Sequence, residues 1–128
     1  MKFLSRVAVI SVIYDLTVGT VMLAATNVLA SVFGVPPPEP VLFAKLLGIF
    51  LICVGFGYLP SARDPYTYRH YLWIFGPLLK GLGAIAFILD YFVNGSPKAF
   101  LLFAASDGAL ALATLWGLLS LPRASSRL

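Results

Sequence analysis

Four long apolar stretches, separated by short polar or proline-rich breaks, take up most of this 128-residue chain. The first runs from about Phe3 to Ala30, the second from about Pro40 to Tyr58, the third from about Pro65 to Val93 and the fourth from about Pro97 to Leu121. A helix crossing a bilayer core needs about 20 mainly apolar residues, and each stretch meets or approaches that length. The pattern predicts an all-α integral membrane protein, one domain over residues 1–128, built as a bundle of four transmembrane helices. The first helix ends where Phe33-Gly34-Val35-Pro36-Pro37-Pro38 forbids continuation. The other three share a starting grammar, Glu39-Pro40, Asp64-Pro65 and Ser96-Pro97. In each, an acidic or capping residue precedes a proline at the first helical position, where its missing N–H goes unmissed. The N-terminal run carries Lys2 and Arg6, as a signal peptide would, but it exceeds the h-region of about 7–15 residues and Asp15 interrupts it. It reads as a retained helix.

Composition narrows the classes. Hydrophobic residues make up 60% of the chain and charged residues 11%, against about 25% charged in a soluble domain. Four spans leave only short connectors, so no soluble catalytic or nucleic-acid-binding domain fits. The net charge of +4 is then a matter of membrane topology. Lys2, Arg6, Arg63, Arg69, Arg123 and Arg127 fall on one side, and Lys98 alone on the other, apart from the intramembrane Lys45. By the positive-inside rule both termini are expected in the cytoplasm. Tyr58, Tyr71, Trp73 and Trp116 are expected as interfacial anchors at the cytoplasmic edge. The tyrosines interleaved with Arg69 and His70 belong to the same belt, and no nucleic acid is expected as a partner. A single cysteine, Cys53, excludes an intramolecular disulfide or a redox-active pair, and a single histidine, His70, leaves no metal-ligand spacing.

Against this apolar background five ionisable residues stand out. Asp15 lies nine residues beyond Arg6, Lys80 nine beyond Tyr71, and Asp107 nine beyond Lys98. At the helical rise this is roughly 14 Å of depth, near the midplane of a core about 30 Å thick. Lys45 and Asp90 fall in the outer third. Two layers are therefore expected: Asp15, Lys80 and Asp107 at the midplane, and Lys45 with Asp90 outside it. Each midplane charge costs roughly 2.5–3.5 kcal/mol if unpaired. Lys80 is accordingly expected to contact Asp107 or Asp15, and Lys45 to lie near Asp90. The pattern admits two readings. The charges form an internal ion-pair network that fixes helix order, or they form a proton, ion or polar-ligand site. Lys45, near an interface, could also snorkel alone.

Small residues flank these charges. Gly19 lies four residues after Asp15, Gly48 three after Lys45 and Gly76 four before Lys80. Ala105, Ala109, Ala113 and Gly117 form a stripe at spacing four on the last helix. Such residues let helices approach closely in lipid, within the bundle or against a partner subunit. Pro77 cannot donate to the Trp73 carbonyl, which predicts a kink three residues before Lys80.

Gly57-Tyr58, Arg63-Asp64-Pro65, Gly76-Pro77-Leu78-Leu79-Lys80, and Asp107 with Trp116 give the later two-thirds of the chain a pattern. It resembles a group of small, uncharacterised bacterial four-helix membrane proteins with a DoxX-like layout. The resemblance implies a multi-pass protein of the bacterial inner (cytoplasmic) membrane. Because some DoxX-type proteins are small subunits of quinone-linked oxidoreductases, it also implies an accessory role in a larger membrane complex, such as a redox complex. No cofactor motif is evident, although a bound lipid, quinone or pigment at a helix face is compatible with the pattern. The expectation is a non-catalytic accessory or structural subunit that packs against lipid and a membrane-protein partner or another copy. The alternative is a small transporter or ligand-binding bundle using the midplane Asp and Lys residues. No nucleophile–base pair or other catalytic motif is visible, so an enzyme is not expected.

Overall fold

The computed structural model describes residues 2–121, which contain helices and connecting turns and no strand. Arg123 and Arg127, which entered the topology argument, lie outside the described residues. The elements are α1 (Lys2–Ala24), α2 (Thr26–Val32), α3 (Leu42–Arg63), α4 (Arg69–Trp73), a π-helical turn (Ile74–Leu78), α5 (Leu79–Asn94), a 3-10 turn (Lys98–Phe100) and α6 (Leu101–Leu119). They supply four helices long and apolar enough to cross a membrane: Lys2–Ala24, Leu42–Arg63, Arg69–Asn94 and Lys98–Leu119. Large side chains such as Phe43, Phe56, Phe92 and Leu112 are exposed around the circumference. That distribution suits a multi-pass membrane protein, in which lipid covers the outward faces.

Several boundaries differ from the sequence pattern. The first span breaks at Ala25, where Thr26 Oγ1 donates back to the Met22 carbonyl. Such i−4 back-bonding competes with the backbone ladder and bends helices. The second span starts at Leu42 and runs through Pro60 to Arg63, past the expected end at Tyr58. Asp64 accepts the Thr67 N–H and hydroxyl, but it caps the turn before α4 and not a helix beginning at Pro65. Pro97 is extended (φ −56°, ψ 141°) and therefore outside the last helix. Ser96 does not cap that helix either, because its hydroxyl donates to Asp90.

α1 packs most extensively against α3, and α5 against α6; α1–α6 and α3–α4 contacts close the bundle. Gly19 and Gly48 create the first seam. A Cβ on either would lie 2.7 Å from the other's carbonyl oxygen, so only glycine admits this approach. At the other seams, a Cβ on Gly76 would lie 2.6 Å from the Thr114 side chain, and one on Gly117 would lie 2.9 Å from Leu4. The α6 stripe is thus only partly a packing face. Gly117 is buried and Ala113 half-buried, but Ala105 and Ala109 are exposed. Spacing of four residues advances by more than one helical turn, so a long stripe winds off the buried face.

The bundle is packed unevenly. Its core of Leu4, Ala8, Val12, Val54, Tyr58, Leu72 and Leu118 lies at the end of the bundle where α1 begins and α3 and α6 finish. Tyr58 is fully buried there, 5.1 Å from the Tyr71 ring, and it donates to the Phe75 carbonyl at 2.7 Å. Tyr71 donates to the Val54 carbonyl, and its ring occupies the space a Cβ on Gly57 would need. These two tyrosines are therefore internal cross-links and not interfacial anchors. A phenol in apolar surroundings goes where a carbonyl is free. Trp73 and Trp116 do face outward, the latter edge-on to Phe3.

The kink expected at Pro77 takes a specific form. Leu79 N–H bonds to the Ile74 carbonyl, five residues back, where a regular helix would use Phe75. The Phe75 carbonyl accepts the Tyr58 hydroxyl across the bundle. The extra residue in the turn rotates the α5 segment about its axis, and Lys80 is the second residue of that segment.

Candidate functional site

Beyond the tight core the helices enclose a cavity of about 440 Å³. Its walls come from α1, α2, α3, α5 and α6, and Val35, Pro36 and Pro38 of the loop after α2 also border it. Among the described residues α3 makes little direct contact with α5, although both line the space. Leu47 and Phe50 of α3 line the cavity and are also exposed, so the cavity reaches the surface along α3. At its far end Phe33, Phe87, Phe100 and Phe103 form a continuous aromatic cluster, with ring centroids 5.0–6.2 Å apart. This cluster joins α2, the 3-10 turn, α5 and α6.

The polar residues bordering the cavity are Tyr14, Asp15, Thr26, Lys80 and Asp107. Lys80 Nζ donates to Asp15 Oδ1 at 2.8 Å, with Lys80 4% exposed and Asp15 fully buried. Asp15 Oδ2 has no hydrogen-bond partner among the described residues. The ammonium also lies 5.3 Å from the Tyr14 ring centre and 5.8 Å from that of Tyr58, within cation–π range. Asp107 makes no ion pair among the described residues, though Lys80 is near enough for its charge to be felt. The Tyr14 hydroxyl hydrogen-bonds Ser106 Oγ at 2.7 Å and lies beside the Asp107 carboxylate. Gly83, on the next turn after Lys80, leaves the carboxylate room: a Cβ there would sit 3.7 Å from Asp107 Oδ2.

The three residues expected at the midplane therefore share one chamber. Lys80 bonds Asp15, and Asp107 stands across the space beside Tyr14. Depth along the helices does not single out Tyr14 or Ser106. The available signal is their position, since each directly precedes a midplane acid.

The outer pair does not form. Lys45 Nζ donates to the Leu23 carbonyl at 2.8 Å, at the C-terminal end of α1. The last carbonyls of a helix lack intrahelical partners and carry the negative end of its dipole, so the ammonium is well placed there. Asp90 instead organises the end of α5, accepting from Asn94 Nδ2 at 2.6 Å and from the Ser96 hydroxyl. Gly95 comes next in the left-handed conformation that ends many helices (φ 68°). The expected equal depth did not bring the two together, because α3 and α5 make little direct contact among the described residues.

Cys53 is exposed on α3, and no group of three His, Cys, Asp or Glu side chains among the described residues could hold a metal ion. No family model, curated protein or solved structure matches the chain. The DoxX-like pattern thus remains a resemblance of sequence.

Proposed function

We propose that this protein is a non-catalytic membrane binding bundle that takes an amphipathic ligand from the bilayer through the opening along α3. The observation that carries this reading is the cavity itself. Its volume falls in the range of small-molecule sites, about 300–1,000 Å³. Its walls are apolar, and a few convergent polar groups lie at one end. A network serving only to hold the bundle would leave no need for the space beside it, since ion pairs in lipid gain from close packing. The basic residues support a topology with both termini on the cytoplasmic side of a bacterial inner membrane. The cavity then lies in the outer half, and its charged floor near the midplane.

The test is to purify the protein in mild detergent and identify bound lipids and lipophilic molecules by native mass spectrometry. Gly83→Leu, which projects a side chain into the cavity, should lose the bound species and stay folded. Equal retention by both forms would place the ligand on the outer surface and sink the reading.

The accessory-subunit role is supported by a separate observation, the outward-facing Ala105 and Ala109 on α6, which offer another helix a close approach. A stoichiometric membrane partner should survive mild extraction and be lost in an Ala105→Leu/Ala109→Leu variant. A partner retained by that variant would remove α6 from the interface.

A further inference from the structure

The floor of the cavity has an uneven charge inventory. It presents two carboxyl groups, Asp15 and Asp107, and one ammonium, Lys80. Lys80 is committed to Asp15 Oδ1, and Asp107 has no ion-pair partner among the described residues. Independently of that count, Asp15 Oδ2 is buried and accepts no hydrogen bond among the described residues, although the residue lines the cavity. One Asp15 oxygen is engaged by Lys80, and the other is buried without a donor among the described residues. An acceptor left unmade in a low-dielectric interior carries a large penalty. The walls add a second preference. Tyr14 flanks the floor, and Phe50, Phe87 and Phe103 line the apolar body of the space. Aromatic faces attract cations and not anions.

We propose that the ligand is a lipophilic cation with N–H donors, of the amine or amidine class. Its head would be held by Asp107 beside Tyr14, and its apolar body would lie among the phenylalanines. This rests on the binding role proposed above and adds the charge and donor character of the occupant. Lys80 acts as a positioning residue here: it holds Asp15 in place and offsets one of the two carboxylates. The second carboxyl, Asp107, is left for the ligand's cation to pair with. An anionic head would meet two carboxylates and find the one ammonium already engaged. A neutral hydroxyl head could fill the same space, but it lacks the charge to offset Asp107.

The test uses three probes of nearly equal size: 4-phenylbutylamine, 4-phenylbutanol and 4-phenylbutyrate. Binding is measured by titration calorimetry on the purified protein in uncharged phosphatidylcholine nanodiscs, with empty nanodiscs subtracted. The amine should bind at least about tenfold tighter than the alcohol, and the carboxylate weakest, because hydrogen bonds to charged groups exceed neutral ones. Asp107→Asn, close in shape, should erase the amine's advantage and leave the alcohol's affinity within about twofold. Asp107→Glu should restore part of it. Alcohol and amine binding alike, or the carboxylate binding tightest, would overturn the cationic assignment while leaving the cavity as a binding site. The wild-type comparison needs no variant, so an unstable Asp107→Asn does not protect the proposal. If no probe binds and Gly83→Leu retains the same co-purified molecules as wild type, the binding role itself is refuted along with the assignment.

Discussion

Removing Lys80 should damage the bundle far more than removing the Lys80–Asp15 pair as a whole. The two groups lie 2.8 Å apart, 4% and 0% exposed. At an effective dielectric of about 20 their attraction is about 6 kcal/mol, most of it offset by the cost of taking both ions from water. Lys80→Met leaves Asp15 buried with no base to pair with, and should destabilise by about 3–5 kcal/mol. Asp15→Leu strands Lys80 in turn, but Asp107 borders the same cavity and can receive the ammonium. Its cost should be smaller, by at least the worth of a net hydrogen bond, about 1 kcal/mol. The double variant Asp15→Leu/Lys80→Met replaces the pair with apolar groups, Leu branching as Asp does but being larger, and should cost clearly less than Lys80→Met alone. The assay is reversible unfolding in mixed micelles of dodecyl maltoside and sodium dodecyl sulfate, tracked by far-ultraviolet circular dichroism. Additive single-variant losses would refute the coupling. An Asp15→Leu loss larger than that of Lys80→Met would refute the role given to Asp107.

The same geometry sets three further expectations. Gly48→Val forces a side chain against the Gly19 carbonyl and should cost about 1–3 kcal/mol or more in the same unfolding assay, with α1 and α3 separating first. Tyr58→Phe deprives the Phe75 carbonyl of its donor and should cost about 1 kcal/mol; hydrogen exchange should rise around Ile74–Leu78, and unchanged protection there would count against the cross-link. Lys45→Met removes the donor to the Leu23 carbonyl and should loosen the end of α1 while leaving the Lys80–Asp15 pair intact. Equal loosening near Asp90 would mean the two outer charges are coupled after all.

Much of the layout could be read from the chain because lipid imposes a simple rule on it. Length and hydropathy locate the spans, and a fixed rise per residue converts position into depth. Expected depth puts Asp15, Lys80 and Asp107 at one level, and the structure places all three around one cavity. Depth says nothing, however, about which face of a helix a residue occupies or which helices are neighbours. Lys45 and Asp90 show this: their expected levels match, and their partners are a helix end and a turn. Tyr58 and Tyr71 show it again, since a tyrosine at a span's edge suits an interfacial belt or an internal carbonyl equally well until the neighbouring helix is known.

The sequence by itself determined the number of spans and the scarcity of charge within them, because a bilayer tolerates few alternatives to a continuous apolar helix. It also put two acids and one base at a single expected depth. Only the tertiary structure decided that Lys80 pairs with Asp15, that one half of the bundle is packed, and that the other half is hollow beside the charges. Those outcomes depend on helix rotation and on local breaks. Thr26 bending the first span, the π turn before Lys80, and the glycine contact that draws α1 to α3 are examples. Each is a competition among backbone and side-chain contacts that only the assembled helices can resolve.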